Sequence, residues 1–438
     1  MKTASAAAEI SKFARLTAVW LGIIFGAVWV TCWLVGVFLP TLVEQANFWQ
    51  RDVTLAVANT LRMLVPILAV MVFIPINAMF MVLAERRALA LFTVRKGPNR
   101  VGPDGLLQTA ADAVKLLFKE DITPRGADAV MFTLAPIIFF APSIIGVLPL
   151  LCAASANHDL FKVAGLPTGI FYVIAVASIP VVGIVMGGWA SNNKYSLVGG
   201  LRSAAQAISY EIPLVLAIIT VCLMAGTLDV VQIANKQSGG LLTWNVFGGG
   251  ALLQMNLSSP VSILAGVSML ISCILLFLIY ITGACAEVNR IPFDLPEAES
   301  ELVSGYNTEY SGIKFAIFFL AEFTNLFVVC TIATVMFLGG GHAPFPVLEK
   351  PVIDWLAGVL QGIPREAGWL IRSFVQAETL CGAFWVILKT YTLVIFAILV
   401  RATLPRFRID QLMDFGWKRL IPLALILLIA VTFLRELV

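Results

Sequence analysis

Long apolar runs separated by short polar segments dominate the hydrophobic pattern of this chain. A helix needs roughly 20 apolar residues to cross a bilayer, so each run near that length predicts one transmembrane helix. Nine runs qualify, at about 16–40, 60–84, 128–151, 168–190, 205–226, 262–284, 313–338, 380–400 and 420–437. The pattern therefore predicts an all-α polytopic membrane protein with about nine spans, folded as one bundle without internal repeats.

Composition agrees with this prediction. A mean hydropathy of +0.93 with 13% charged residues excludes an ordinary soluble domain. The first run is too long, and too poor in a small-residue cleavage site, for a typical signal peptide, so we expect it to remain as a helix.

The basic residues lie mainly on one side of the predicted bundle. If nine helices alternate, 20 of the 29 Lys and Arg residues fall in the same set of segments: 1–15, 85–127, 191–204, 401–419 and the surroundings of the acidic stretch 291–312. The positive-inside rule makes that side cytoplasmic, with the N-terminus inside and the C-terminus outside.

Cysteine and histidine usage argues against a redox centre in this chain. The seven cysteines form no CxxC motif, and the two histidines, His158 and His342, lie in predicted outer loops. Zinc, iron–sulfur or haem ligation is therefore not expected here, and any redox cofactor would belong to a partner.

The inner loop 85–127 combines turn residues with an amphipathic segment. "RKGPNRVGPDG" holds basic side chains on a Gly/Pro-rich turn. The next residues, "LLQTAADAVKLLFKE", place apolar side chains on one helical face and polar ones on the other, which predicts an interfacial helix. A lipid-anchored helix and a ligand site both fit this pattern.

Carboxylates are concentrated near the inner ends of several predicted helices. The stretch "IPFDLPEAESELVSGYNTEYSG" contains five acids, and others lie inside or at the ends of apolar runs: Asp294, Glu297, Glu299, Glu301, Glu309, Glu85, Glu211, Glu287 and Glu322. A solvated acidic loop is one interpretation. Because ionisable groups within spans mark ion or proton paths, a proton relay is the other, and we favour it. Lys389, inside another run, could extend toward the outer surface or pair with one of these acids.

Four blocks resemble one family: "ERRALALFTVRKGPNRVGPDGLLQTAADAVKLLFKE", "GWASNNKYSLVGGLRSAAQAISYE", "AEVNRIPFDLPEAESELVSGYNTEYSGIKFAIFFLAEF" and "VRATLPRFRIDQLMDFGWKRLIPL". In this order they are similar to the H-type membrane subunits of the NADH-quinone oxidoreductases (respiratory complex I), the counterparts of mitochondrial NADH dehydrogenase chain 1. The resemblance implies a membrane domain of this type over 60–438 with eight core helices. Residues 1–59 would form an N-terminal extension with one extra helix.

The resemblance also implies a function. The chain would form the membrane part of a quinone tunnel, with ubiquinone as the expected quinone, and couple quinone reduction to proton translocation. The implied proton-path residues are Glu85, Glu211, Glu287, Glu297, Glu299, Glu301 and Glu322. The implied quinone-binding residues are Arg86, Arg95, Asp112, Arg290, Phe293 and Arg401. No residue would be catalytic or bind a metal.

The resemblance further implies the location and the partners of this chain. Flavin and iron–sulfur clusters would lie in partner subunits of the NADH:quinone oxidoreductase. The partners would be soluble quinone-site and connecting subunits and small membrane subunits leading to antiporter-like ones; no nucleic acid is expected. The expected location is a bacterial plasma membrane, with the mitochondrial inner membrane as the alternative.

Three features depart from the family pattern. The run 16–40 precedes the usual start, and the outer loop 339–379 is longer than usual. Where some members carry an acid in the fourth run, this chain has Ile179 and Pro180. Two other functions remain open: the homologous membrane subunit of a hydrogenase complex, and a stand-alone proton-coupled transporter, although no inverted repeat is apparent.

Overall fold

The computed structural model describes residues 51–151, 166–254, 259–295, 299–346 and 377–437, with a few isolated positions outside these ranges. Side chains are described from residue 70 onward within them, except at a few positions. Most residues of the chain in these ranges are helical, and turns and loops join the helices. Its helices are α1 Arg51–Phe92, α2 Gln108–Phe118, α3 Ala129–Leu151, α4 Gly169–Ala177, α5 Ile179–Ala190, α6 Lys194–Ala225, α7 Val230–Asn235, α8 Ala251–Gln254, α9 Pro260–Glu287, α10 Glu299–Leu302, α11 Gly312–Phe337, α12 Ala377–Thr403, α13 Ile409–Phe415 and α14 Ile421–Leu437.

Seven helical segments of the described chain are long and apolar enough to cross a membrane: Ala129–Val147, Gly169–Ala190, Lys194–Ala225, Pro260–Glu287, Gly312–Phe337, Cys381–Thr403 and Ile409–Leu437. They match the last seven predicted runs. The run 60–84 lies within α1, and the run 16–40 lies outside the described residues. The all-α polytopic fold is confirmed, whereas the count of nine stays a prediction.

Two spans begin about three turns before the apolar runs that predicted them. Helix α6 starts at Lys194, and the last span starts at Ile409, where α13 continues through a π-helical turn at Gly416–Leu420 into α14. The part of α6 before its apolar run carries Ser196 and Ser203, which are both buried. Hydropathy missed this part because the polar side chains are buried in protein rather than exposed to lipid.

Helix α11 occupies the centre of the bundle. It packs against α1, α3 and α12, and about two thirds of its apolar window is buried (67%). The main core runs through α1, α6, α9, α11, α12 and α14. A smaller aromatic cluster connects α3 and α11 with Tyr306 and Tyr310 of the acidic stretch.

The predicted loop 85–127 is shorter than expected, because α1 continues to Phe92. Its turn requires glycine at position 105: φ is +75°, and a Cβ atom there would lie 2.2 Å from the carbonyl oxygen of Pro98. The amphipathic segment forms α2 as predicted, and Val114, Leu117 and Phe118 remain exposed on its apolar side. This exposed face is available to lipid or to a partner.

Candidate functional site

Three residues far apart in the sequence form an ion cluster at one end of the bundle. The positive-inside rule predicts that this end faces the cytoplasm, and we call it the inner end. Glu85 of α1 binds Arg290, after α9, at 2.9 Å and also forms an ion pair with Arg401 near the end of α12. The Arg290 guanidinium lies 4.1 Å from the ring centroid of Phe323. We call Glu85, Arg290 and Arg401 the arginine cluster; all three were predicted as functional residues.

Beside this cluster, the segment after α9 is joined to the loop between α12 and α13. Arg406 binds Asp294 at 2.9 Å, and the Phe407 amide donates to the Pro292 carbonyl at 3.0 Å. The rings of Phe293 and Phe407 lie 5.7 Å apart. Burial raises the pKa of the Asp294 carboxyl, although the positive charges of the nearby arginines act to lower it. We call these contacts the inner clasp. The resemblance implied Phe293, and the acidic stretch includes Asp294, but neither singled out Arg406, although it lies inside the fourth resembling block.

Gln206 of α6 connects the inner clasp to the end of α9. Its amide nitrogen lies 2.8 and 2.6 Å from the carbonyl oxygens of Ala286 and Phe293 and 3.1 Å from Oδ1 of Asn289, so its two N–H groups are shared among three acceptors. The side chain is 1% exposed, so these contacts fix the segment 286–293 against α6. Nothing in the sequence pattern singled out this glutamine.

Arg86, Asp112 and Arg95 lie apart from the arginine cluster. Arg86 binds Asp112 of α2 at 2.5 Å, and Lys115 lies 3.6 Å away. Burial alone would raise the pKa of Asp112, but the hydrogen bond and charge of Arg86 hold it below the usual value. Arg95 is exposed, and its Nε donates to Thr93 at 3.1 Å. The predicted quinone-binding residues therefore fall into separate groups.

The ion pair between Arg86 and Asp112 predicts a pH-dependent contribution to stability. Since the pKa is lowered on folding, the contribution is present above the unfolded value of 3.8 and is lost as the pH falls through the folded value. At pH 7 we expect Asp112→Asn to lower the free energy of unfolding by about 0.2–1 kcal/mol, as for other partly exposed pairs.

Thermal unfolding of the detergent-purified protein at pH 7 and at low pH measures this effect. Arg86→Met should cause a similar loss, and the two losses should not add in the double variant. Additive losses, or a difference that persists unchanged at low pH, would remove the pair from this role.

A second group of predicted residues lines one cavity inside the bundle. Glu211 of α6, Glu287 of α9 and Glu322 of α11 all border it, together with Asn289 and Asn325. The cavity offers water-sized molecules about 60 Å³. By that measure one water needs on the order of 10–15 Å³, so several waters fit. We call this space the acid cavity. Carboxylates around a hydrated space can exchange protons through water.

Side chains from two directions organise the α11 wall of this cavity. The Tyr306 hydroxyl donates to Oε1 of Glu322 at 2.7 Å. The Ser143 hydroxyl of α3 donates to Oδ1 of Asn325 at 2.6 Å. Glu322 is 8% exposed, so its carboxylate belongs to the protein interior and the cavity rather than to the bulk solvent.

The described acidic residues of the stretch 291–312 do not lie together in the structure. Glu301 binds Arg202 at 2.6 Å with 57% of its side chain exposed, and Glu309 accepts from Asn193 at 2.6 Å. Glu299 begins α10, although its side chain is not described, and Glu297 lies outside the described residues. The described structure thus separates the surface acid Glu301 from the cavity acids.

Lys389 extends toward the opposite end of the bundle, which the sequence predicts to be the outer end, and so takes the first of its two predicted directions. Its Nζ donates to the carbonyl oxygens of Leu338, Gly340 and His342 at 2.6, 2.9 and 2.6 Å. It also lies 4.3 Å from the Trp244 ring centroid. Burial, followed by the charge of Lys389, lowers the pKa of His342. Lys389 therefore binds the free carbonyl groups at the C-terminal end of α11.

The described part of the chain contains no cluster of three or more His, Cys, Asp or Glu residues that could hold a metal ion. The chemistry available at the inner end is ionic, aromatic and carboxylic. These groups can bind a polar ring and move protons.

Comparison with known proteins identifies the family. The NADH dehydrogenase family model matches residues 65–432. The chain is 40% identical over 397 residues to the H subunit of the NADH-quinone oxidoreductase of Brevibacillus brevis, covering 90% of this chain and 97% of the relative. The chain therefore belongs to the NADH dehydrogenase family, as an H-type membrane subunit of NADH-quinone oxidoreductase, the enzyme known as complex I.

Proposed function

We propose that this subunit forms the membrane wall of a quinone site and couples quinone reduction to proton translocation. The observation that carries the proposal is the link between two groups of charged residues. The arginine cluster lies at the inner end, and the acid cavity lies deeper in the bundle. The segment 286–293, held by Gln206, joins them.

The inner end has the chemistry that a quinone headgroup requires. Arginine N–H groups can donate to quinone oxygens, and the exposed Phe407 ring, which packs on the buried Phe293, offers an aromatic surface. The arginine cluster and the inner clasp together hold three arginines and two carboxylates, which gives a net charge of +1 when all are ionised. This charge favours the electron-rich ring that forms during reduction.

Electrons would reach the quinone from an iron–sulfur cluster in a partner subunit. Reduction of a quinone to a quinol adds two electrons and two protons, so the local demand for protons changes at the arginine cluster. Glu287 lies three residues before Arg290, and Asn289 borders the acid cavity. A shift of this segment would reach the cavity acids directly.

The remaining residues fit the proposal in different ways. Arg86, Arg95 and Asp112 would border the tunnel mouth near the exposed face of α2, where soluble connecting subunits would bind. Glu85 would respond to the quinone, whereas Glu211, Glu287 and Glu322 would exchange protons. Glu297, Glu299 and Glu301 would form the inner rim of the path. Small membrane subunits leading to antiporter-like ones would receive the signal in a bacterial plasma membrane.

Glu322→Gln tests the proposed relay. The amide keeps the shape of the side chain but cannot release a proton, so proton translocation per quinone reduced should fall several-fold in the assembled enzyme. The measurement is proton uptake into proteoliposomes, driven by NADH with a soluble quinone, at matched enzyme content.

Glu309→Gln is the matched control, since Glu309 belongs to the same acidic stretch but does not line the acid cavity. It should pump normally. Normal pumping by an assembled Glu322→Gln enzyme would exclude Glu322 from the relay.

Co-purification in mild detergent tests the assembly. We expect flavin and iron–sulfur NADH dehydrogenase subunits with the tagged chain by mass spectrometry. Nickel–iron hydrogenase subunits would favour the first alternative function, and a chain purified alone would favour a transporter.

A further inference from the structure

One tyrosine of the inner acidic stretch reaches directly into the proposed relay. Tyr306 lies in the short turn Gly305–Asn307, only a few residues after Glu301. Its side chain is 0% exposed, and its hydroxyl donates to Glu322 at 2.7 Å. A loop on the cytoplasmic side is thus bonded to a carboxylate that borders the acid cavity.

The surrounding structure holds this tyrosine in place. Its ring packs edge-on against Phe318 and Phe139, with centroids at 5.5 and 6.5 Å. The backbone at Gly305 approaches α6 so closely that a Cβ on Gly199 would lie 2.8 Å from Gly305 Cα. The position of the hydroxyl therefore depends on the packing of the whole turn against α3, α6 and α11.

We propose that Tyr306 is a positioning residue that sets the orientation and proton affinity of Glu322 and transmits displacement of the inner acidic stretch to the acid cavity. This inference rests on the proposed role of Glu322. A phenol that donates to a carboxylate stabilises its charged form. A turn that moves the hydroxyl away would make Glu322 bind a proton more readily, and its return would promote release.

The groups facing Glu322 come from three elements besides the turn. Glu211 on α6 and Glu287 and Tyr280 on α9 line the same cavity, and Tyr280 donates its hydroxyl to the Val329 carbonyl at 2.9 Å. Helix α3 contributes Ser143 rather than a charge. The two neighbouring carboxylates are acceptors, whereas Tyr306 is a fixed donor to Glu322.

Tyr310 supplies a matched comparison within the same aromatic cluster. It is 6% exposed and stacks on Phe132 with centroids at 4.1 Å, but its hydroxyl has no hydrogen-bond partner among the described residues. Tyr306→Phe and Tyr310→Phe each remove one buried oxygen from the same cluster. Only the first removes a donor to Glu322.

The test compares these two variants in the complete enzyme in proteoliposomes. We expect Tyr306→Phe to move the pH profile of proton translocation upward by about 0.5–1 pH unit, since the lost hydrogen bond favoured the ionised carboxylate. Tyr310→Phe should leave the profile in place. Coincident profiles for the two variants, or equal shifts in both, would overturn the inference.

An infrared difference spectrum gives a second measurement that does not depend on turnover. The carboxyl C=O band that Glu322→Gln removes should shift in Tyr306→Phe and stay in place in Tyr310→Phe. An unshifted band would overturn the inference as well. Loss of pumping in Glu322→Gln combined with an unchanged Tyr306→Phe profile would reject the inference and leave the proposed relay standing.

Discussion

Replacing Glu85 with alanine should prevent stable assembly of this subunit. The change leaves Arg290, 8% exposed at its side chain, and the partly exposed Arg401 without the carboxylate that they share. Removal of one partner from a buried ion pair costs about 3–5 kcal/mol, because the remaining charge stays buried without compensation. This is a large fraction of the stability of a typical domain. The amount of assembled complex on a native gel, and its thermal midpoint, measure the loss.

Two further variants test whether the buried charge causes this loss. Asp414→Ala breaks an exposed ion pair, in which the side chains of Asp414 and Lys418 are 64% and 73% exposed. This change should alter the free energy of unfolding by less than about 1 kcal/mol. Combining Glu85→Ala with Arg290→Met also removes the more buried of the two arginine charges and should restore part of the assembly. Wild-type assembly of Glu85→Ala alone would show that the arginine cluster contributes little to stability.

Replacing Lys389 with methionine should loosen the outer end of α11. The ammonium group donates to three carbonyl oxygens there, and a cation at a helix C-terminus also interacts favourably with the helix dipole. Each buried polar group left without a partner costs on the order of 1–3 kcal/mol. We expect a total loss of about 3 kcal/mol, with some relaxation of the carbonyls toward water.

Thermal unfolding and hydrogen exchange of the amides near residues 338–342 measure this change. Exchange should accelerate locally, because opening of the helix end becomes easier. Lys418→Met is the control, since that lysine is exposed and pairs only across one helical turn. Unaltered exchange in Lys389→Met would mean that the carbonyl contacts do not stabilise the helix end.

Several features of the site could not be predicted from local sequence. Gln206 and Arg406 resemble any other polar residues in the pattern, yet one holds the segment 286–293 and the other binds Asp294. Tyr306 lies within the acidic stretch, but no sequence pattern gives it a role, because its importance depends on where its hydroxyl points. For Lys389 the pattern allowed two directions, and the position of the α11 end decides between them.

Hydropathy and contiguous motifs were sufficient to predict the class of protein, the approximate positions of seven spans and the family. These properties are local or additive: a bilayer of fixed thickness requires apolar runs of fixed length, and contiguous motifs carry the resemblance. Which charged residues contact one another depends on the packing of the helices. Glu85 binds Arg290, which lies 205 residues further along the chain, and three acids from three helices share one cavity. The packing of the helices sets such contacts, and the hydrophobic pattern along the chain does not determine which faces of two helices pack together.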